Sequence, residues 1–133
     1  MSTELYWMTL TVLMTALFWL AYLPDRLLMR GLWLTIADNK PEGAGPHSLW
    51  AQRAIRAHEN AVENLAIFVP AVLTAAVLQI STPATRGAVI AYFFARLAHF
   101  IVYTAGVPLL RTLAFTAGWI AQILILASIL RWI

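Results

Sequence analysis

Apolar and polar positions fall along this chain in long blocks, and the apolar blocks are membrane-sized. Residues 5–23 carry no charge. As a helix they would span about 28 Å, close to the thickness of a bilayer's hydrocarbon core. Trp7, Trp19 and Tyr22 stand toward the two ends of that block, as interfacial aromatics do. Pro24 is expected to kink this helix rather than end it, because residues 25–33 keep an amphipathic rhythm with Arg26 and Arg30 on one side. Helix 1 is therefore placed at about 5–34. Residues 38–48 gather Pro41, Gly43, Gly45 and Pro46 and form the one long polar loop, with Lys40 inside it and Ser48 as the expected cap of the next helix.

Helix 2 is placed at about 49–80, which is about 48 Å of helix and longer than a bilayer core. Its charged first half is the part expected to project or tilt, and Pro70 is expected to kink it. A short turn around Ser81–Arg86 leads to helix 3 at about 83–107, apolar apart from Arg96 and His99. Pro108 opens a tight connection containing Arg111, and helix 4 follows at about 112–133. One long and two short connections predict a four-helix antiparallel bundle.

Composition supports the membrane as solvent. The 133 residues are 62% hydrophobic and 11% charged, against about 25% charged for a soluble domain. The N-terminus offers no positive segment ahead of its apolar block, so it reads as a retained helix rather than a cleaved signal. Arg26, Arg30, Lys40, Arg53, Arg56 and Arg111 lie on the side of the long loop, and Arg86 and Arg131 on the other. That asymmetry predicts a cytoplasmic loop and external termini. The nine cations never run three together, which excludes a nucleic-acid patch. With no cysteine there is no disulfide, thiolate metal site or cysteine nucleophile. No His/Asp/Glu spacing suggests a metal site either.

Two polar faces carry the candidate chemistry. On helix 2, Arg53, Arg56, Asn60, Glu63 and Asn64 fall within an arc of roughly 100°, while His58 and Glu59 point elsewhere. On helix 3, Tyr92, Arg96, His99 and Tyr103 fall within about 60°. An arginine at mid-membrane costs about 2.5–3.5 kcal/mol on insertion scales, so Arg96 is expected to find Glu63, or else Glu59. Taken alone, that pair is as well explained as a pin between two helices, and His99 as a helix-to-helix hydrogen bond. A pin accounts for two residues only. Arg53, Arg56, Arg96 and Arg111, with Arg26 or Arg30, can gather at one end of the bundle with Asn60, Glu63, His99 and Tyr103. Such a pocket suits a small polyanion meeting a lipophilic partner: arginines fork onto carboxylates, and Asn60 and Glu63 can hold an ammonium or amide. A guanidinium beside a thiol also lowers its pKa.

The motif Arg53-x-x-Arg56-Ala57-His58-x-Asn60-x-x-Glu63 resembles the helix 2 signature of the membrane-associated proteins in eicosanoid and glutathione metabolism, the MAPEG family. Arg96-x-x-His99-x-x-x-Tyr103, followed by Pro108 and Arg111-Thr112, resembles the prostaglandin-synthase branch of that family. The resemblance implies a homotrimer that holds glutathione between neighbouring subunits. Arg56, Asn60, Glu63, His99 and Tyr103 would bind it, with Arg53, Arg96 and Thr112 in the same cluster and Arg26 or Arg30 contributing from helix 1. Arg111 would be the catalytic, thiolate-stabilising arginine. Glu59, Phe115 and the late Pro70 depart from the prostaglandin branch and resemble a bacterial-type branch, which implies a bacterial inner membrane. The implied function is a membrane-bound, glutathione-dependent transferase or peroxidase-like enzyme for lipophilic electrophiles. The alternative is a non-catalytic lipid-binding or scaffold protein of the same fold.

Overall fold

The computed structural model describes residues 1–37 and 47–133, residue 34 by its backbone alone. Lys40 and most of the expected loop lie outside the described residues. The elements are α1 (Thr3–Leu17), α2 (Trp19–Ala37), α3 (Leu49–Val77), α4 (Pro83–Ala105) and α5 (Pro108–Ile129). Among the described residues four stretches are long and apolar enough to cross a membrane, the first of them Thr3–Trp33, which joins α1 to most of α2. The chain is an all-α, multi-pass integral membrane protein.

The first span continues through Pro24, which lies inside α2. Its ladder tightens at Phe18, whose N–H reaches Thr15 O at 3.2 Å instead of the carbonyl four residues back. Just before it, Thr11 and Thr15 each donate a hydroxyl hydrogen bond of 2.8 Å to the carbonyl four residues earlier. Such back-bonding loosens and bends a helix. Helical geometry is lost further on, at Gly31, with φ 74° and ψ 164°, a region open in practice only to glycine. The regular part of this span is therefore shorter than 5–34.

The junction to α3 rests on Asp25. Ser48 occupies the cap position, but its side chain makes no capping bond. Asp25, 5% exposed, does that work from α2: its Oδ2 accepts from Ser48 N and from His47 Nδ1, each at 3.2 Å. The carboxylate thus meets the Ser48 N–H at a helix N-terminus, where negative charge is favoured. From there α3 runs past Pro70 to Val77, and Gln79 at φ 57° turns the chain. A reciprocal capping box between Thr82 and Thr85 starts α4. Thr85 Oγ1 also donates to Glu4 Oε1 at 2.8 Å and ties that end to α1. Gly106, at φ 80°, stops α4.

Pro108 then acts as the first residue of α5 rather than as part of a connection. Its fixed φ suits a first turn, where a missing N–H costs nothing. Arg111 accordingly sits in the first turn of α5, not before it.

The helix α4 packs on α5, α3 and α1, and α3 packs on every other helix; α2 touches only α1 and α3. Ala51, Ala54, Ala57 and Ala61, all at most 2% exposed, line the inner face of α3 and allow close approach. They pack with Phe18, Tyr22 and Phe100 in one apolar cluster. Phe68, Tyr92, Val89 and Ile125 belong to a second cluster. The outside is apolar, as in Leu28, Val77, Leu113 and Trp119.

Replacing Asp25 by Ala should cost about 1–3 kcal/mol, because it strips two donors of their acceptor. Asp25→Asn, which keeps an oxygen, should cost less. Thermal unfolding in detergent followed by circular dichroism measures both, and equal losses would contradict the assigned bonds.

Candidate functional site

The stripe on α4 is turned inward. Tyr92 is 0%, Arg96 1% and His99 3% exposed. Arg96 Nη1 donates to Asn60 Oδ1 at 2.9 Å. Its Cζ stands 5.3 Å from the ring centroids of both Tyr92 and Phe115. The Nε and Nη2 groups are buried without a partner.

The expected Arg96–Glu63 pair does not form. The one ion pair among the described residues is His47–Asp25. Glu63 is exposed and lines a surface depression with His58, Glu59 and Val62. The reason is angular: Asn60 and Glu63 are about 60° apart on the α3 wheel, and only Asn60 faces α4. His58 shares a 2.9 Å hydrogen bond through Nδ1 with Tyr22 OH, joining α3 to α2.

Two adjoining pockets open at the α4–α5 turn. One, of about 180 Å³, is lined by Arg53, Tyr103, Gly106, Val107, Pro108 and Arg111. The other, of about 200 Å³, is lined by Asn60, His99, Tyr103, Arg111, Thr112 and Phe115. Tyr103 and Arg111 form the wall between them, with the Arg111 Cζ 4.7 Å from the Tyr103 ring centroid. Arg53 is held by donating from Nε to Thr104 O at 2.9 Å, at the C-terminal end of α4 where a cation is favoured. Thr112 donates its hydroxyl to Pro108 O at 3.1 Å, so toward the pocket its oxygen can only accept. His99 packs edge-on against Tyr103.

Of the residues chosen from sequence, Arg53, Asn60, His99, Tyr103, Arg111 and Thr112 thus meet in one region, with Arg96 directly behind Asn60 and Phe115. Arg56 and Glu63 are exposed and line neither pocket. Arg26 and Arg30 lie on α2, which touches neither α4 nor α5. Sequence reasoning missed Gln122, whose Nε2 donates to Asn64 O at 3.1 Å and to Tyr92 OH at 3.4 Å. It also missed Gly118, against which the Arg96 guanidinium lies. A lone amide four residues beyond a glycine, in a membrane helix with no charge past Arg111, was the available signal.

A multi-pass helical bundle with an arginine- and tyrosine-walled pocket at one end defines the class: a membrane protein with a polar, donor-rich site. The model of the MAPEG family matches residues 5–131, and the chain belongs to that family. No curated protein and no solved structure is matched. Membership supports a membrane function of the glutathione-related transferase or peroxidase kind.

Among the described residues Arg96 has no acid beside it, so an apolar residue of similar length should suit the fold at least as well. Arg96→Met is expected to raise stability by about 1 kcal/mol, a fraction of the cost of a mid-membrane arginine. A stability loss on thermal unfolding would mean that the arginine is structurally satisfied.

Proposed function

We propose that the protein is a membrane-bound, glutathione-dependent transferase or peroxidase-like enzyme for lipophilic electrophiles, working as a homotrimer with the long first loop in the cytoplasm. The observation that carries this reading is that Asn60, His99, Tyr103, Arg111 and Thr112 line one pocket.

Bound glutathione supplies a thiol for attack on an electrophilic carbon or a peroxide oxygen. Arg111 stands in the first turn of α5 and faces both pockets. Its charge adds to that of the helix N-terminus and favours an anionic sulfur there. Tyr103 holds the guanidinium by its ring, a contact worth roughly 0.5–2 kcal/mol. Asn60, His99 and Arg53 offer polar contacts along the rest of a peptide. Leu109 and Leu113, 69% and 57% exposed, flank Arg111 on α5 and give an apolar approach from lipid.

Each pocket is smaller than the about 300–1,000 Å³ that encloses a whole small ligand. A tripeptide therefore needs a further wall. Arg56 and Glu63, exposed on α3, and Arg26 and Arg30 on α2 are the residues a neighbouring copy would bring. This accounts for site residues that do not meet within one chain.

Purified protein should bind glutathione saturably at millimolar concentration and raise the ultraviolet absorbance of its thiolate; Arg111→Ala should remove that signal. Absence of saturable binding sinks the enzyme reading, and binding without a thiolate signal favours the lipid-binding or scaffold alternative. Cross-linking in mild detergent should give a trimer, and a ladder ending at the dimer contradicts the assembly.

A further inference from the structure

The layer beneath the pocket decides which end of the Asn60 amide meets the ligand. Arginine carries donors only, so the Asn60 atom that Arg96 Nη1 reaches at 2.9 Å has to be the oxygen. Asn64 Nδ2 donates to the same oxygen at 3.3 Å. With Oδ1 engaged twice, the group that Asn60 has left for the pocket it shares with Arg111 is its Nδ2.

The place of Arg96 is set in turn by α5. A Cβ at Gly118 would lie 2.8 Å from Arg96 Nη2 and 3.0 Å from Nε, so the guanidinium occupies the space that a side chain would fill. One turn on, Gln122 is 2% exposed. Its bonds to Asn64 O and Tyr92 OH draw α3 and α4 onto α5 around the arginine.

We propose that Gly118 and Gln122 are positioning residues that hold Arg96 so that Asn60 turns its N–H group toward the ligand, making this subsite selective for a carboxylate over a neutral ester or an ammonium. The proposal rests on the glutathione reading above. It differs from the part expected of Asn60 from sequence, which with Glu63 is to hold an ammonium or amide.

The test compares glutathione with its diethyl ester, in which both carboxylates are masked, by equilibrium binding to the full-length protein in detergent. The wild-type protein should prefer the free acid. Asn60→Asp keeps an acceptor for Arg96 but replaces the donor facing the ligand. It should weaken glutathione binding about tenfold or more, the scale of a lost hydrogen bond to a charged group, while the trimer and its thermal stability persist. Gly118→Ala and Gln122→Leu should narrow the preference for acid over ester about tenfold. A merely structural role would weaken both ligands equally.

Unchanged or tighter glutathione binding by Asn60→Asp overturns the proposal, as does equal weakening of acid and ester by the α5 variants. Should Gly118→Ala fail to assemble, Gln122→Leu and Asn60→Asp decide together. A wild-type protein that binds no glutathione overturns the underlying reading as well, so the two failures are told apart.

Discussion

An arginine buried at 1% exposure in a membrane bundle, with no carboxylate in reach among the described residues, is the constraint to which the middle of this molecule is fitted. Lipid cannot satisfy a guanidinium, so everything around Arg96 has to. Asn60 gives it an oxygen, Tyr92 and Phe115 give it ring faces, and Gly118 gives it room. Even so, Nε and Nη2 stay unpaired. A bundle selected for stability alone would place an apolar side chain here, since charges buried without full compensation are commonly matched or bettered by hydrophobic replacements. The cost is understandable if the positive charge and the orientation of Asn60 are needed by the neighbouring pocket.

The two ends of the bundle solve the membrane problem differently. At the N-terminal end of α1, Glu4 and Thr85 close the α1–α4 contact by a hydroxyl–carboxylate bond, with no arginine taking part. At the opposite end, Asp25 caps α3 while Arg53 binds the Thr104 carbonyl at the end of α4. Both are charges placed where helix termini favour them. With that end of α4 bound by Arg53 and α5 beginning at Pro108, Arg111 is placed on a rigid turn rather than on a loop. A site that must hold one charge close to a sulfur benefits from that placement.

Much of this was legible in the sequence. Four membrane spans follow from block length and hydropathy, and the inward stripe on α4 follows from the 3.6-residue period alone. The details that failed did so for physical reasons. Pro108 is read as a breaker, yet proline also begins helices, and only the αL stop at Gly106 tells the two apart. Ser48 is read as a cap because serine caps well, but its side chain makes no capping bond, and Asp25, more than twenty residues earlier in sequence, brings a carboxylate to its backbone N–H instead. The Arg96–Glu63 pair fails because a helical wheel gives a direction and not a partner. An arc wide enough to group Asn60 with Glu63 spans both the inside and the outside of the bundle. Gly118 and Gln122 stayed unseen because neither is charged, and the role of a glycine is visible only once something occupies its missing side chain.

That width of the polar arc on α3 also bears on how the site is completed. Asn60 faces α4 within its own chain, whereas Arg56 and Glu63 face out. Charged groups on the lipid-facing side of a membrane helix are costly unless something covers them. In the proposed trimer the cover is a neighbouring subunit, and α3 serves two sites at once: its inner face shapes the Arg111 pocket of its own chain, and its outer face closes the pocket next door. The alanines on its inner side then acquire a second consequence. By letting α3 lie close against the bundle, they fix the angle at which Arg56 and Glu63 are presented outward. Packing inside one subunit would thus govern the geometry of the site in the next, which is why a bundle with so few polar residues can afford none of them out of register.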